Sequence, residues 1–91
     1  MKQLESSLDW REIELEIREL SKTAPEFKFD VIKFCAGISS QVRKLSEVEI
    51  EIRRRPMDHH RQKHKQMCAE INSAIKDFSQ THLLHLFTRV D

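Results

Sequence analysis

The scarcity of chain breakers constrains this sequence more than any other feature. Its 91 residues hold one glycine, Gly37, and two prolines, Pro25 and Pro56. Proline removes a backbone donor and pushes the residue before it out of the helical region, so each proline marks a boundary. The stretches they separate carry apolar residues at helical spacing and charges between them. About a third of the chain is Asp, Glu, Lys or Arg (34%), which suits amphipathic surface helices. The reading is all-α: one domain, 1–91, of three helices with a long antiparallel hairpin and coiled-coil-like packing.

The first helix is expected over about 6–22. Ser6 followed by Asp9 resembles a capping box with Asp in the place of Glu, its carboxylate reaching back to the cap amide. Trp10, Ile13, Ile17 and Leu20 then form one stripe, and Leu15 widens it. The second helix is expected over about 24–54, opened by Thr23 as cap, Glu26 as its reciprocal partner and Pro25 in the first turn. From Val31 through Cys35, Ile38, Val42 and Leu45 the spacing alternates four and three, a heptad seam. Gly37 interrupts that seam and reads as a point of close helix packing. Gly37-Ile38-Ser39 resembles the turn of a helix-turn-helix, but Lys33 stands where that motif needs a small residue. The third helix is expected over about 57–88, with Met67, Ile71, Ile75 and Phe78 as its stripe.

A turn at Arg55–Pro56 brings the second and third helices together antiparallel. Val42 then faces Ile71, Leu45 faces Met67, Ile38 faces Ile75, and Phe34 or Cys35 faces Phe78. His64 falls opposite Val48 or Glu49. About a turn near Lys22, Ile17 faces Phe27, Ile13 faces Val31 and Trp10 faces Phe34. On this register the first helix covers only the base of the hairpin. Val42, Leu45, Val48, Ile52, Met67, Ile71 and Ile75 are left on a bare two-helix arm. Leaving such side chains in water forfeits about 1.5–3 kcal/mol each, so the arm demands a cover. A second copy of the chain, completing a four-helix core, is the expected one, and these residues are the candidate dimer interface.

Charge is unevenly placed although the net charge is only +1. Residues 1–26 carry four basic and seven acidic side chains, while 53–65 carry six basic and one acidic. Arg53, Arg54, Arg55, Arg61, Lys63 and Lys65 therefore make a basic hairpin tip, a candidate contact for nucleic acid or another anionic partner. No aromatic residue is interleaved there to stack on bases.

His60, His64 and Cys68 stand four residues apart and line one helix face, the spacing from which a zinc or copper site is built. Cys35 with His64-Lys65-Gln66-Met67-Cys68 resembles, over three residues, the ligand pattern of the copper- and nickel-sensing repressors of the CsoR type. That resemblance implies a metal-responsive regulator. His64 opposite Val48 or Glu49, and His60 opposite Ile52, also suit a proton-sensitive contact on the seam.

No glycine-rich phosphate loop and no paired nucleophile and base appear, so the chain is read as a non-enzyme without a cofactor. Two cysteines are too few for a secreted disulfide framework, and neither a leader nor a membrane span is apparent. A cytoplasmic location follows. The expected function is a small helical protein–protein interaction module, an adaptor, regulator or chaperone-like partner acting as a homodimer. Leu84, Leu86 and Phe87 are candidate contacts for another protein. A nucleic-acid-binding regulator using the tip is the alternative.

Overall fold

The structure, a computed structural model, describes residues 2–82, apart from the side chain of Leu20. It is all-α. Helix α1 spans Asp9–Lys22, a 3-10 turn Pro25–Phe27 follows, and helices α2 and α3 span Lys28–Arg54 and Asp58–His82. No strand occurs among the described residues. The expected continuation of the third helix over 83–88, and Leu84, Leu86 and Phe87 with it, lie outside the described residues.

Three contacts fix the hairpin register. Phe34 stacks on Phe78 with ring centroids 4.1 Å apart. His64 Nε2 meets Glu49 Oε2 at 2.9 Å, and His82 Nε2 lies 3.6 Å from Asp30 Oδ2. These pairs share the antiparallel register expected from the apolar stripes. The 27 residues of α2 make a rod of about 40 Å at 1.5 Å per residue, close to the molecule's 44 Å long axis.

Helix starts depart from expectation in two places. Asp9 Oδ2 does accept from the Ser6 amide at 3.1 Å and also from the Glu5 amide, as a capping box requires. The helix itself nevertheless begins at Asp9, because Ser6–Leu8 form a turn closed by Asp9 N–H to Ser6 O. At the second helix the cap position of the 3-10 turn falls on Ala24, not Thr23, and no side-chain cap hydrogen bond is made there. Pro25 occupies the first turn as expected. The turn closes through backbone bonds, Ala24 N–H to Ser21 O and Phe27 N–H to Ala24 O.

The core runs the length of the hairpin. Ile13 and Ile17 of α1, Val31, Cys35 and Leu45 of α2 and Ile71 of α3 are its largest fully buried members, with Leu4 from the N-terminal segment. Leu15 lies outside it, 63% exposed, so it does not widen the first stripe. Gly37 is also not a packing point. A Cβ built there meets nothing within 4 Å, and its φ is not positive. Helix propensity alone then decides its substitution. Gly37→Ala is expected to stabilise the chain by about 1 kcal/mol, as an increase in urea midpoint with an unchanged slope.

Candidate functional site

Residues 2–8 form a non-helical strap before α1, and it lies along the seam between α2 and α3. Leu4 is 1% exposed and belongs to the core. The Leu4 amide donates to Asn72 Oδ1 at 2.6 Å, and Asn72 Nδ2 donates to the Leu4 carbonyl at 2.9 Å. The Cys68 thiol donates to Glu5 O at 3.7 Å. The Ser7 amide and hydroxyl both donate to the Glu49 carboxylate, at 2.9 and 2.5 Å. On α3, His64, Cys68 and Asn72 recur every four residues, which places them on one helix face beneath the strap.

Glu49 is the hub of this cluster. Burial alone would push its carboxyl up, but hydrogen bonds from Ser7 and His64 outweigh burial and hold it below its ordinary value of 4.5. Its charge is thus stabilised by donors from two different elements. Cys68 is affected in the opposite sense. Burial pushes the thiol up, and the nearby charges of Glu49 and Asp9 add to the effect. Cys35 is likewise pushed up, chiefly by burial, with Arg18 opposing and Glu14 adding. At neutral pH both are thiols rather than thiolates.

Cys68, His64 and Glu49 superficially resemble a nucleophile, base and orienting carboxylate. The geometry is wrong for that role. Cys68 Sγ lies 3.8 Å from His64 Nδ1 and 3.9 Å from Nε2, so it sits between the nitrogens and along neither lone pair. Nε2 is already engaged by Glu49. A base must face its nucleophile through one nitrogen and its orienting group through the other. The cluster is built to hold the strap.

The candidate dimer residues are found mostly inside the chain. Val42, Leu45, Val48, Ile71 and Ile75 are buried, and Ile52 and Met67 are half-buried. The arm is not bare, because residues 4–8, ahead of α1, run on along α2 and α3 past the positions the expected register gave them. Ser7 meets Glu49, far along α2 from Phe34, where that register had set Trp10, and the strap continues beyond α1 to Asn72. The cover expected from a second copy is supplied by the chain's own residues 4–10.

His64 and Cys68 are adjacent, whereas the His60 ring packs on His59 with centroids 4.0 Å apart. Cys35 faces the charges of Glu14 and Arg18 on α1, and Cys68 lies under the strap. Among the described residues no three His, Cys, Asp or Glu side chains are grouped to hold a metal ion.

The basic tip is present as expected. Arg53, Arg54, Arg55, Arg61, Lys63 and Lys65 are exposed. Among the described residues the one ion pair they make is Arg54 with Glu51, at 4.0 Å. Met57, 50% exposed, caps the turn.

Sequence reasoning missed a further surface at the base. Phe29 is 84% exposed and Ile32, one turn along α2, is 46% exposed. Ile32 borders a shallow groove between α1 and α2 with Arg18, Lys22, Pro25, Lys28 and Val31. Arg18 also lines a neighbouring hollow with Leu15, so Leu15 and Ile32 flank it. No helix among the described residues is long and apolar enough to cross a membrane. The chain matches no protein-family model, and no curated protein and no solved structure is significantly similar to it.

Proposed function

We propose that this chain is a helical protein–protein interaction module, and that its partner-binding surface is the base formed by α1 and the start of α2. The observation that carries this reading is Phe29. A phenylalanine 84% in water, one turn from a half-exposed isoleucine, lies outside the core formed by the described residues. Exposed large aromatics with apolar neighbours are the usual anchors of interfaces. The groove beside them has an apolar floor and a rim of Arg18, Lys22 and Lys28. Arg18 and Lys22 are shared with Glu14 and Glu19, and Lys28 makes no ion pair among the described residues. The complementary partner is therefore the apolar face of a helix edged by carboxylates. We place this activity in the reducing cytoplasm, where Cys35 and Cys68 stay thiols.

Phe29→Ser is the test. Because the side chain is exposed, the stability should stay within about 0.5 kcal/mol of wild type. Capture of a partner helix from a library of acidic amphipathic peptides should be lost. Undiminished capture by Phe29→Ser, or capture of no member of the library by the wild type, would remove this reading.

A second reading, binding of nucleic acid, is favoured by the exposed cations of the tip, of which Arg54 alone makes an ion pair among the described residues. Arg53 and Arg54 already have a structural role, since basic residues in a last helical turn favour the helix dipole. Phosphate binding predicts more. A mobility shift with DNA or RNA should weaken steeply with salt, by about one unit of log–log slope for each phosphate contact. Changing Arg53, Arg54 and Arg55 to alanine should flatten that slope. If the wild type gives no shift at low salt, the tip is a solvated end and nothing more.

A further inference from the structure

We propose that the groove between α2 and α3 is a peptide-binding site, filled in the isolated chain by its own N-terminal strap and able to take the same strap from a second copy. The groove reads main chain. Asn72 makes a two-way amide contact with the Leu4 backbone, accepting from its N–H and donating to its carbonyl. Cys68 donates to the next carbonyl, and Glu49 accepts the Ser7 amide and hydroxyl. A receptor that grips backbone groups and provides one deep apolar pocket is the general form of extended-peptide recognition. Here the pocket takes Leu4, and the preferred ligand is an apolar residue followed three positions on by a hydroxyl.

The occupant is identified by what fills the groove. An identical strap from another molecule makes identical contacts, which is why exchange of an element is a low-cost route to a dimer. Two further observations favour a second copy. Leu8, at the junction of strap and α1, is 73% exposed, an apolar side chain that this chain's own fold leaves in water and that a second copy would cover. Residues 1–26 are net acidic while residues 53–65 are strongly basic, so the N-terminal part of one copy is attracted to the arm of another. The bonds that tie the strap to α1 travel with it: Lys2 to Asp9 and Glu12, and Asp9 to the Glu5 and Ser6 amides.

A fluorescent peptide of residues 2–8 tests the groove directly. Full-length chain carrying Leu4→Ala, its own strap weakened, should bind the peptide at least about tenfold more tightly than wild type, whose strap competes. Adding Asn72→Ala should cost the peptide about tenfold, the scale of the two hydrogen bonds removed. A Leu4→Ala chain with helical circular dichroism that fails to bind the peptide, or binds equally well with Asn72→Ala, overturns the proposal.

A second variant covers the case in which Leu4→Ala does not fold. Glu5→Cys in a Cys35→Ala chain puts a new thiol on the residue whose backbone carbonyl lies 3.7 Å from the Cys68 sulfur. Mild oxidation of concentrated protein should give a disulfide-linked dimer whose share rises with concentration. Monomer alone, internally cross-linked or not, overturns exchange between copies.

Discussion

Replacing Leu4 with alanine will destabilise the chain by about 3 kcal/mol, within the usual range of about 2–5 for a buried leucine. For a chain this size that lowers the melting temperature by roughly 12–24 °C. The expectation is unusual for a lone leucine in a non-helical segment of polar neighbours, because such segments ordinarily tolerate change. It follows from where the side chain lies. Leu4 is among the fully buried side chains and shares one core cluster with Leu45, Cys68 and Ile71. Its removal leaves a void between the helices and also loosens the residue whose backbone Asn72 holds. Leu8 is the internal control. It is the same residue type on the same segment, exposed to solvent, and Leu8→Ala should move the stability by no more than about 0.5 kcal/mol. Urea unfolding followed by the fluorescence of Trp10, buried and the sole tryptophan, measures both. Equal effects of the two substitutions would mean that the strap is not part of the core.

That contrast marks what can be read from residue order and what cannot. The hairpin was legible because its information is periodic. Val42, Leu45, Ile71 and Ile75 repeat at helical spacing on both sides of Pro56, and one turn position aligns all of them. Counting sets Phe78 opposite Phe34 or Cys35 and His64 opposite Val48 or Glu49, and the structure pairs them with Phe34 and Glu49. The strap has no period. Leu4 is a single apolar residue among polar neighbours, and nothing in Met-Lys-Gln-Leu-Glu-Ser-Ser distinguishes it from a solvated end. Its burial depends on how far α1 extends along α2, a tertiary quantity. The expected register turned the first helix about Lys22 and set Trp10 opposite Phe34, which left the flank near Glu49 and Asn72 uncovered, whereas residues 4–7 reach both.

The polar site was half visible for the same reason. His64 and Cys68 stood out as a spaced pair, but spacing suggested metal. Their actual companions, Ser7, Glu49 and Asn72, come from three elements. Asn72 continues the four-residue repeat of His64 and Cys68, a signal available beforehand beside the register that sets His64 near Glu49. At the base, Phe29 could have been found by the opposite test. It lies across the helix from the Val31–Phe34–Ile38 stripe, and a large aromatic on that face is an anomaly for a lone monomer.

Acid should release the strap, and Glu49 should be the main reason. Its carboxyl is held below 4.5 and that of Asp9 below 3.8, Glu49 by Ser7 and His64 against the opposing effect of burial, Asp9 first by Lys2. A carboxyl lowered in the folded state binds fewer protons there than when unfolded. Its stabilisation is therefore complete above the ordinary carboxylate value and is lost as pH falls through the lower folded value. Wild-type stability should be flat from neutrality to about pH 5 and then decline into the acid range. Glu49→Gln keeps the shape but removes the charge and its titration. At pH 7 it should cost about 2 kcal/mol, since bonds from Ser7 and His64 to a carboxylate become bonds to a neutral amide. As pH falls through the lowered folded value of Glu49 the two chains should converge, because the wild-type carboxyl is then neutral as well. The early event is local. Protonated Glu49 no longer attracts the Ser7 hydroxyl and amide as an anion does, while Asn72 retains Leu4, so exchange of the Ser7 amide with solvent deuterium should accelerate before Trp10 reports unfolding. A constant gap between wild type and Glu49→Gln throughout the acid decline would show that another group carries the acid response. The same measurement tests the hub itself, for Glu49 alone among the described carboxylates bonds both the strap and α3.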